Sequence, residues 1–128
     1  MREFWLANNF IEVHSPKLTG SPSESGAELF SLEYFERPAY LTQSPQFYKH
    51  MAMAAGFERI FEIGPVFRAD PSFTARHMTE VTGVDLEISW VNSHEDVMSM
   101  EERWLQYIYK RVKETHGDAI REEFGVDL

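Results

Sequence analysis

Between Phe57 and Trp90 the chain twice alternates apolar and polar positions, with a polar interval between. The first run passes through Phe61, Ile63, Val66 and Phe67 and ends on Arg68, and the second returns from Thr79 to Trp90. A period of two over such lengths predicts two strands folded back as a long hairpin. From Ser93 the period changes. Val97, Met100, Trp104, Leu105, Ile108 and Val112 follow helical spacing, with Glu101, Glu102, Lys110 and Lys113 on the water side. Ser93-His94-Glu95-Asp96 reads as a capping box at the start of that helix, with Asp in place of the preferred Glu. Asp118 to Phe124 reads as a separate last helix.

Upstream, Arg2 to Asn9 reads as a helix end and Phe10 to His14 as a short strand closed by Ser15-Pro16. Residues 19–27 are rich in Gly, Ser and Pro and read as a mobile loop. Strands are predicted over Leu29–Phe35 and Ala39–Thr42, separated by Glu36-Arg37-Pro38. Ser44-Pro45 opens a helix to about Ala55, since proline is well tolerated in a first turn, and Gly56 stops it. The order is α+β, and 128 residues suffice for one domain with one hydrophobic core.

Composition narrows the classes. Hydrophobic residues at 43% and charged residues at 26% describe an ordinary folded chain. Without cysteine there is no disulfide framework and no thiolate metal site. No run approaches the roughly 18 apolar residues of a membrane span, and Met1-Arg2-Glu3 leads into a mixed helix, not a signal peptide. A cytoplasmic location with no membrane contact is the expectation. The net charge of −9 argues against a surface that grips a nucleic-acid backbone over its whole extent, so only a local patch would touch a polyanion.

The hairpin supplies such a patch. Arg68 ends one strand, Arg76 and His77 sit in the loop, and Asp85 and Glu87 lie on the returning strand. Arginine binds phosphate oxygens in pairs and keeps its charge, so the arrangement suits a polyphosphate. The spacing alone equally fits a hairpin whose charges face water. Three further segments join it: Phe10 to Leu18, a strand ending in proline; Ser23 to Ala27, a loop presenting Glu24; and Gln43-Ser-Pro-Gln-Phe-Tyr-Lys49, which puts Gln46 and Lys49 on one helical face.

These four ordered segments together resemble the catalytic core of class II aminoacyl-tRNA synthetases of the aspartate, asparagine and lysine subgroup, most of all the archaeal and eukaryotic type that charges aspartate. The resemblance covers almost the whole chain and implies a partial class II catalytic fold over residues 1–128, an antiparallel sheet flanked by helices. It implies a ligase that joins L-aspartate to ATP as aspartyl-adenylate and then to tRNA(Asp), with ATP and Mg2+ required. Pro16 corresponds to the first class II motif, which in the family builds a homodimer interface. Glu24 resembles the carboxylate of a lid that closes over aspartate. Gln46 and Lys49 match residues that contact the amino acid, with Lys49 facing its side-chain carboxylate, and Asp85 resembles an acid of the same pocket. Arg68 resembles the catalytic arginine that holds the α-phosphate and the aspartate carboxylate. His77, with Arg76, matches the loop that reaches the outer phosphates.

Two departures stand out. Asp70 takes the place of a glutamate near ATP, and Val81 replaces a phenylalanine that stacks on adenine, a ring worth ~1–3 kcal/mol in comparable base stacking. A third-motif string of the form GxGxGxxR does not occur among these residues, which hold seven glycines. The 128 residues alone are therefore expected to be inactive. Two alternatives stay open: a noncatalytic paralogue that dimerises or binds a partner, and an aspartate-adenylating paralogue like type A asparagine synthetase.

Overall fold

A computed structural model describes residues 1–22, 28–71 and 74–128. They divide into two compact units, Phe10–Ser89 and Met1–Asn9 with Trp90–Leu128. Helices and antiparallel-rich sheets are mixed, as an α+β reading requires.

The Phe10–Ser89 unit holds two three-stranded sheets around helix α2 (Gln46–Ala54). One sheet has the order β1 (Ile11–Glu12), β5 (Arg59–Phe67), β6 (Glu80–Ile88). The long hairpin forms as the alternation predicts, with Arg59 opposite Ile88 and Phe67 opposite Glu80. The sheet is not wholly antiparallel, because β1 runs parallel to β5, with Ile11 opposite Ile60 and Glu12 opposite Phe61. Strand β5 is central there, and Ile60, Phe61 and Glu62 are buried in succession, as expected where a strand is covered on both faces.

The second sheet orders β2 (Leu18–Thr19), β4 (Arg37–Leu41), β3 (Ser31–Tyr34). Strand β2 runs into Thr19, where a loop was expected to begin, and β4 begins at Arg37, running through Pro38. Hydrogen-bond direction explains that proline. The Leu41 N–H donates to the Phe30 carbonyl, so by alternation the nitrogen of Pro38 faces away from β3, past the end of the two-residue β2. Pro65 obeys the same logic in β5. The Arg68 N–H points to Thr79 on the β6 side, which turns the Pro65 nitrogen to the side of β1, beyond β1's last pair. Neither proline interrupts a ladder bond.

Thr42, fully buried, ties the two sheets: its N–H donates to the Lys17 carbonyl at 3.0 Å and its carbonyl accepts from Phe67 N–H at 2.8 Å. Helix α2 starts just after Ser44-Pro45, with the Ser44 hydroxyl accepting from Gln46 N–H. It ends before Gly56, whose φ of 99° a side chain would strain.

The other unit pairs α1 (Arg2–Ala7) with α3 (His94–Phe124). The capping box forms: the Ser93 hydroxyl accepts from Glu95 N–H, and Asp96 accepts from Ser93 N–H. Trp5 stacks on Trp104 with ring centroids 5.2 Å apart, Phe4 meets Tyr107, and Met100 is buried. Val97 and Leu105, expected in the core, are exposed, because the six-residue α1 covers only the face of α3 that carries Trp104 and Tyr107. The expected break near residue 117 is absent and α3 is one helix of 31 residues.

Candidate active site

Within the Phe10–Ser89 unit, the β5–β6 hairpin, its loop and the segment ahead of α2 enclose a cavity of about 590 Å³. Arg68, Asp70, Arg76, His77, Gln46 and Asp85 all line it. Local structure explains the gathering. Residues 66, 81, 83 and 85 lie on the wall because side chains alternate along paired strands, and α2 begins with Gln46 directed to the same space.

Arg68 is held at its backbone from two sides. Its own N–H donates to Thr79 at 2.9 Å, and the next residue's N–H donates to the Glu28 carbonyl at 3.1 Å. The guanidinium is solvent-accessible on a fixed base. In the loop, the Thr74 hydroxyl lies 2.6 Å from His77 Nδ1, the His77 N–H donates to the Thr74 carbonyl, and the Arg76 N–H reaches the Thr74 hydroxyl. One threonine thus folds the turn that presents both Arg76 and His77. The wall carries two arginines and one histidine against the carboxylates of Asp70 and Asp85. It offers an anion a receptor at one end and an ammonium group a partner at Asp85.

Lys49 is placed differently from its neighbours. It is 5% exposed, and its ammonium donates to Asp85 Oδ1 at 2.8 Å, with Glu87 Oε2 at 3.4 Å and the Leu86 carbonyl also at 3.4 Å. It does not line the cavity, whereas its partner Asp85 does. A buried ammonium between two carboxylates is a satisfied charge. Glu87 was placed in the hairpin patch by the sequence, but its pairing with Lys49 was missed. Its signal was the spacing to Asp85, since positions two apart on a strand share a face. Gln43, fully buried, also lines the cavity and donates to the Glu28 carbonyl, and Met78 joins the wall while 67% exposed.

Val81 is on the wall and 41% exposed, so the position where an adenine-stacking ring was expected does face the cavity. Pro16 is exposed at the corner after β1. Glu24 lies outside the described residues. Among the described residues no cluster of three or more His, Asp or Glu side chains could hold a metal ion. No helix among the described residues is long and apolar enough to cross a membrane.

The sequence profile of the family described as tRNA synthetases class II (D, K and N) matches residues 1–125. The chain is 54% identical over 114 residues to an aspartate–tRNA(Asp/Asn) ligase of Methanopyrus kandleri, covering 89% of this chain and 26% of that one. It is 45% identical over 128 residues to an aspartate–tRNA(Asp) ligase of Picrophilus torridus, covering 99% and 30%. Among solved structures it resembles an asparaginyl-tRNA synthetase of Pyrococcus horikoshii complexed with asparaginyl-adenylate, with a TM-score of 0.86 and 38% identity over 94% of this chain and 27% of that one. The chain thus spans between a quarter and a third of the length of these relatives.

Proposed function

The chain belongs to the class II tRNA synthetases for aspartate, lysine and asparagine, and from that premise we propose that it carries the aspartate-activating part of an aspartate–tRNA ligase. One observation supports this above others: Arg68, Arg76 and His77 converge with Asp70 and Asp85 on a single cavity.

In this reading Arg68 binds the α-phosphate of ATP and the α-carboxylate of aspartate together. Two anions repel one another, and a shared guanidinium brings them within attacking distance. A carboxylate oxygen attacks the α-phosphorus, the bond to the β-phosphate oxygen breaks, and pyrophosphate leaves. Arg68 then stabilises charge that grows in the transition state. Arg76 and His77 hold the outer phosphates, where magnesium brought with the nucleotide would supply further neutralisation of charge. Gln46 and Asp85 bind the amino acid, Asp85 through its ammonium. Lys49, held behind Asp85 at 2.8 Å, supplies the positive charge that favours the side-chain carboxylate of aspartate over the amide of asparagine. The adenylate then passes to tRNA(Asp) in a cytoplasmic enzyme that dimerises around Pro16.

A chimera tests the proposal. In the Methanopyrus kandleri ligase, the matched segment is replaced by these residues, and aspartate-dependent exchange of pyrophosphate into ATP is measured. Exchange is expected, and Arg68→Ala is expected to lower it by about 10²–10³-fold with the fold intact. Near-normal exchange from the folded variant removes Arg68 from the mechanism.

A further inference from the structure

Outside the cavity, a second buried charge cluster lies on the same strand. Glu62 is 2% exposed on β5. Its carboxylate accepts from the Ser15 N–H at 3.1 Å and from the Ser15 hydroxyl at 3.0 Å, and pairs with the Lys17 ammonium, which also donates to the Ser15 hydroxyl. One carboxylate therefore fixes both sides of the Ser15-Pro16-Lys17 corner. Gly64 leaves the room for it: a Cβ there would lie 3.1 Å from Glu62 Oε1 and 3.4 Å from Lys17 Nζ.

The corner is joined in turn to the end of β5. The Lys17 carbonyl accepts from Thr42 N–H, and the Thr42 carbonyl accepts from Phe67 N–H, one residue before Arg68. The Thr42 hydroxyl donates to the Ser44 carbonyl at 2.8 Å, and Ser44 lines the cavity. A buried carboxylate paired with a half-buried ammonium contributes little stability compared with a well-packed apolar pair, so energy alone is a weak reason for this cluster. Removing one partner, by contrast, leaves a charge without compensation.

The geometry points to Glu62 as a positioning residue: by clamping the 15–17 corner it sets Thr42, and through Thr42 the backbone that carries Arg68. The part Arg68 plays in a reaction rests on the reading above, whereas the coupling is a property of the fold and is measured without any ligand.

Amide hydrogen exchange by NMR on the 128-residue chain tests it. Glu62→Gln is expected to speed exchange at Thr42 and Phe67 about tenfold, the scale of losing a hydrogen bond to a charged group. The Ser89 amide, which donates to Glu58 at the other end of the hairpin, is expected to keep its rate. The double variant Glu62→Gln/Lys17→Met removes both charges, so that no lone ammonium is left to unfold the chain, and the same local loosening is expected. If Ser89 accelerates by the same factor, Glu62 merely stabilises the whole unit and the coupling is wrong. If only Ser15 responds, the corner is not connected to Arg68, which overturns it equally. Failure of the chimera to exchange pyrophosphate would remove the functional reading and leave these rates unaffected.

Discussion

Lys49 has two carboxylate partners, 2.8 Å and 3.4 Å away, and almost no contact with water. Substituting Lys49→Met would leave Asp85 and Glu87 facing each other without a cation. Because both carboxylates keep partial access to solvent, the expected cost is about 2 kcal/mol, below that of a fully buried pair. In the chimera the same variant is expected to raise acceptance of asparagine relative to aspartate, read in a competition assay. Unchanged discrimination with the stability loss would make Lys49 a support of Asp85 and nothing more. Gly83 gives a complementary case. A Cβ there meets Asp85 Oδ2 at 3.5 Å and Val66 at 3.8 Å, ordinary contacts that cost the fold little. Yet Gly83 lines the cavity. Gly83→Ala is therefore expected to leave the melting temperature of the 128-residue chain nearly unchanged while raising KM for aspartate in the chimera several-fold, since a methyl group takes space beside the carboxylate.

Elements with a clear period and a chemical boundary were legible in the sequence. The hairpin followed from alternation, α2 from Ser44-Pro45 and Gly56, and the start of α3 from its capping box. Strand β2 was hidden because a two-residue ladder has no period to read. The extension of β4 was hidden because proline normally ends a strand, unless its nitrogen faces away from the neighbour. The parallel pairing of β1 with β5 leaves no local trace, since it joins segments far apart in the chain. At the site, the lining residues Arg68, Asp70, Arg76, His77, Gln46 and Asp85 came from their motifs. The pairing of Glu87 with Lys49 and the clamp of Glu62 did not, because a strand carboxylate reads as solvent-facing until its partner is known. The continuous α3 is the case with the simplest energetics. Gly117 costs a helix only about 1 kcal/mol, too little to break one that continues for several turns on its amino-terminal side. A Cβ at Gly117 would touch only Lys113 Cγ, at 3.6 Å. Gly117→Ala is thus expected to stabilise the chain by ~0.5–1 kcal/mol in denaturant unfolding; a loss of stability would mean that this stretch is not helical in solution.

Across the whole molecule, 21 acidic residues stand against 12 lysines and arginines, so each acid held by a base relieves mutual repulsion. The chain end shows this. After Gly125, in the left-handed region at φ 66°, the chain turns back and Asp127 accepts from Arg121 at 2.9 Å, with Lys113 at 3.9 Å. The hydrogen bond from Arg121, then its charge and that of Lys113, lower the Asp127 carboxyl below its usual 3.8. The folded state therefore prefers the ionised form. The contact helps above pH 3.8 and fades as pH falls through the depressed folded value. Carbon-detected NMR is expected to show Asp127 titrating below its value in Arg121→Gln, and an unshifted titration would mean that the tail does not dock.

The parallel pair of β1 and β5 also governs the order in which the chain assembles. Ser15 and Glu62 are 47 positions apart, and parallel strands need a crossover between them. Everything between, including the second sheet and α2, forms through shorter loops, whose closure costs less entropy. The hairpin and the small sheet are local structures, whereas the first strand has no partner until residues 60–62 exist and are in place. During synthesis β1, although made before β5, must wait unpaired on the ribosome. Its docking is the high-contact-order step and so the slow one. Pulse-labelled exchange during refolding is expected to protect the β5–β6 amides before that of Val13, which donates to Phe61. The corner that carries Pro16 is therefore the last part of this unit to take its native form.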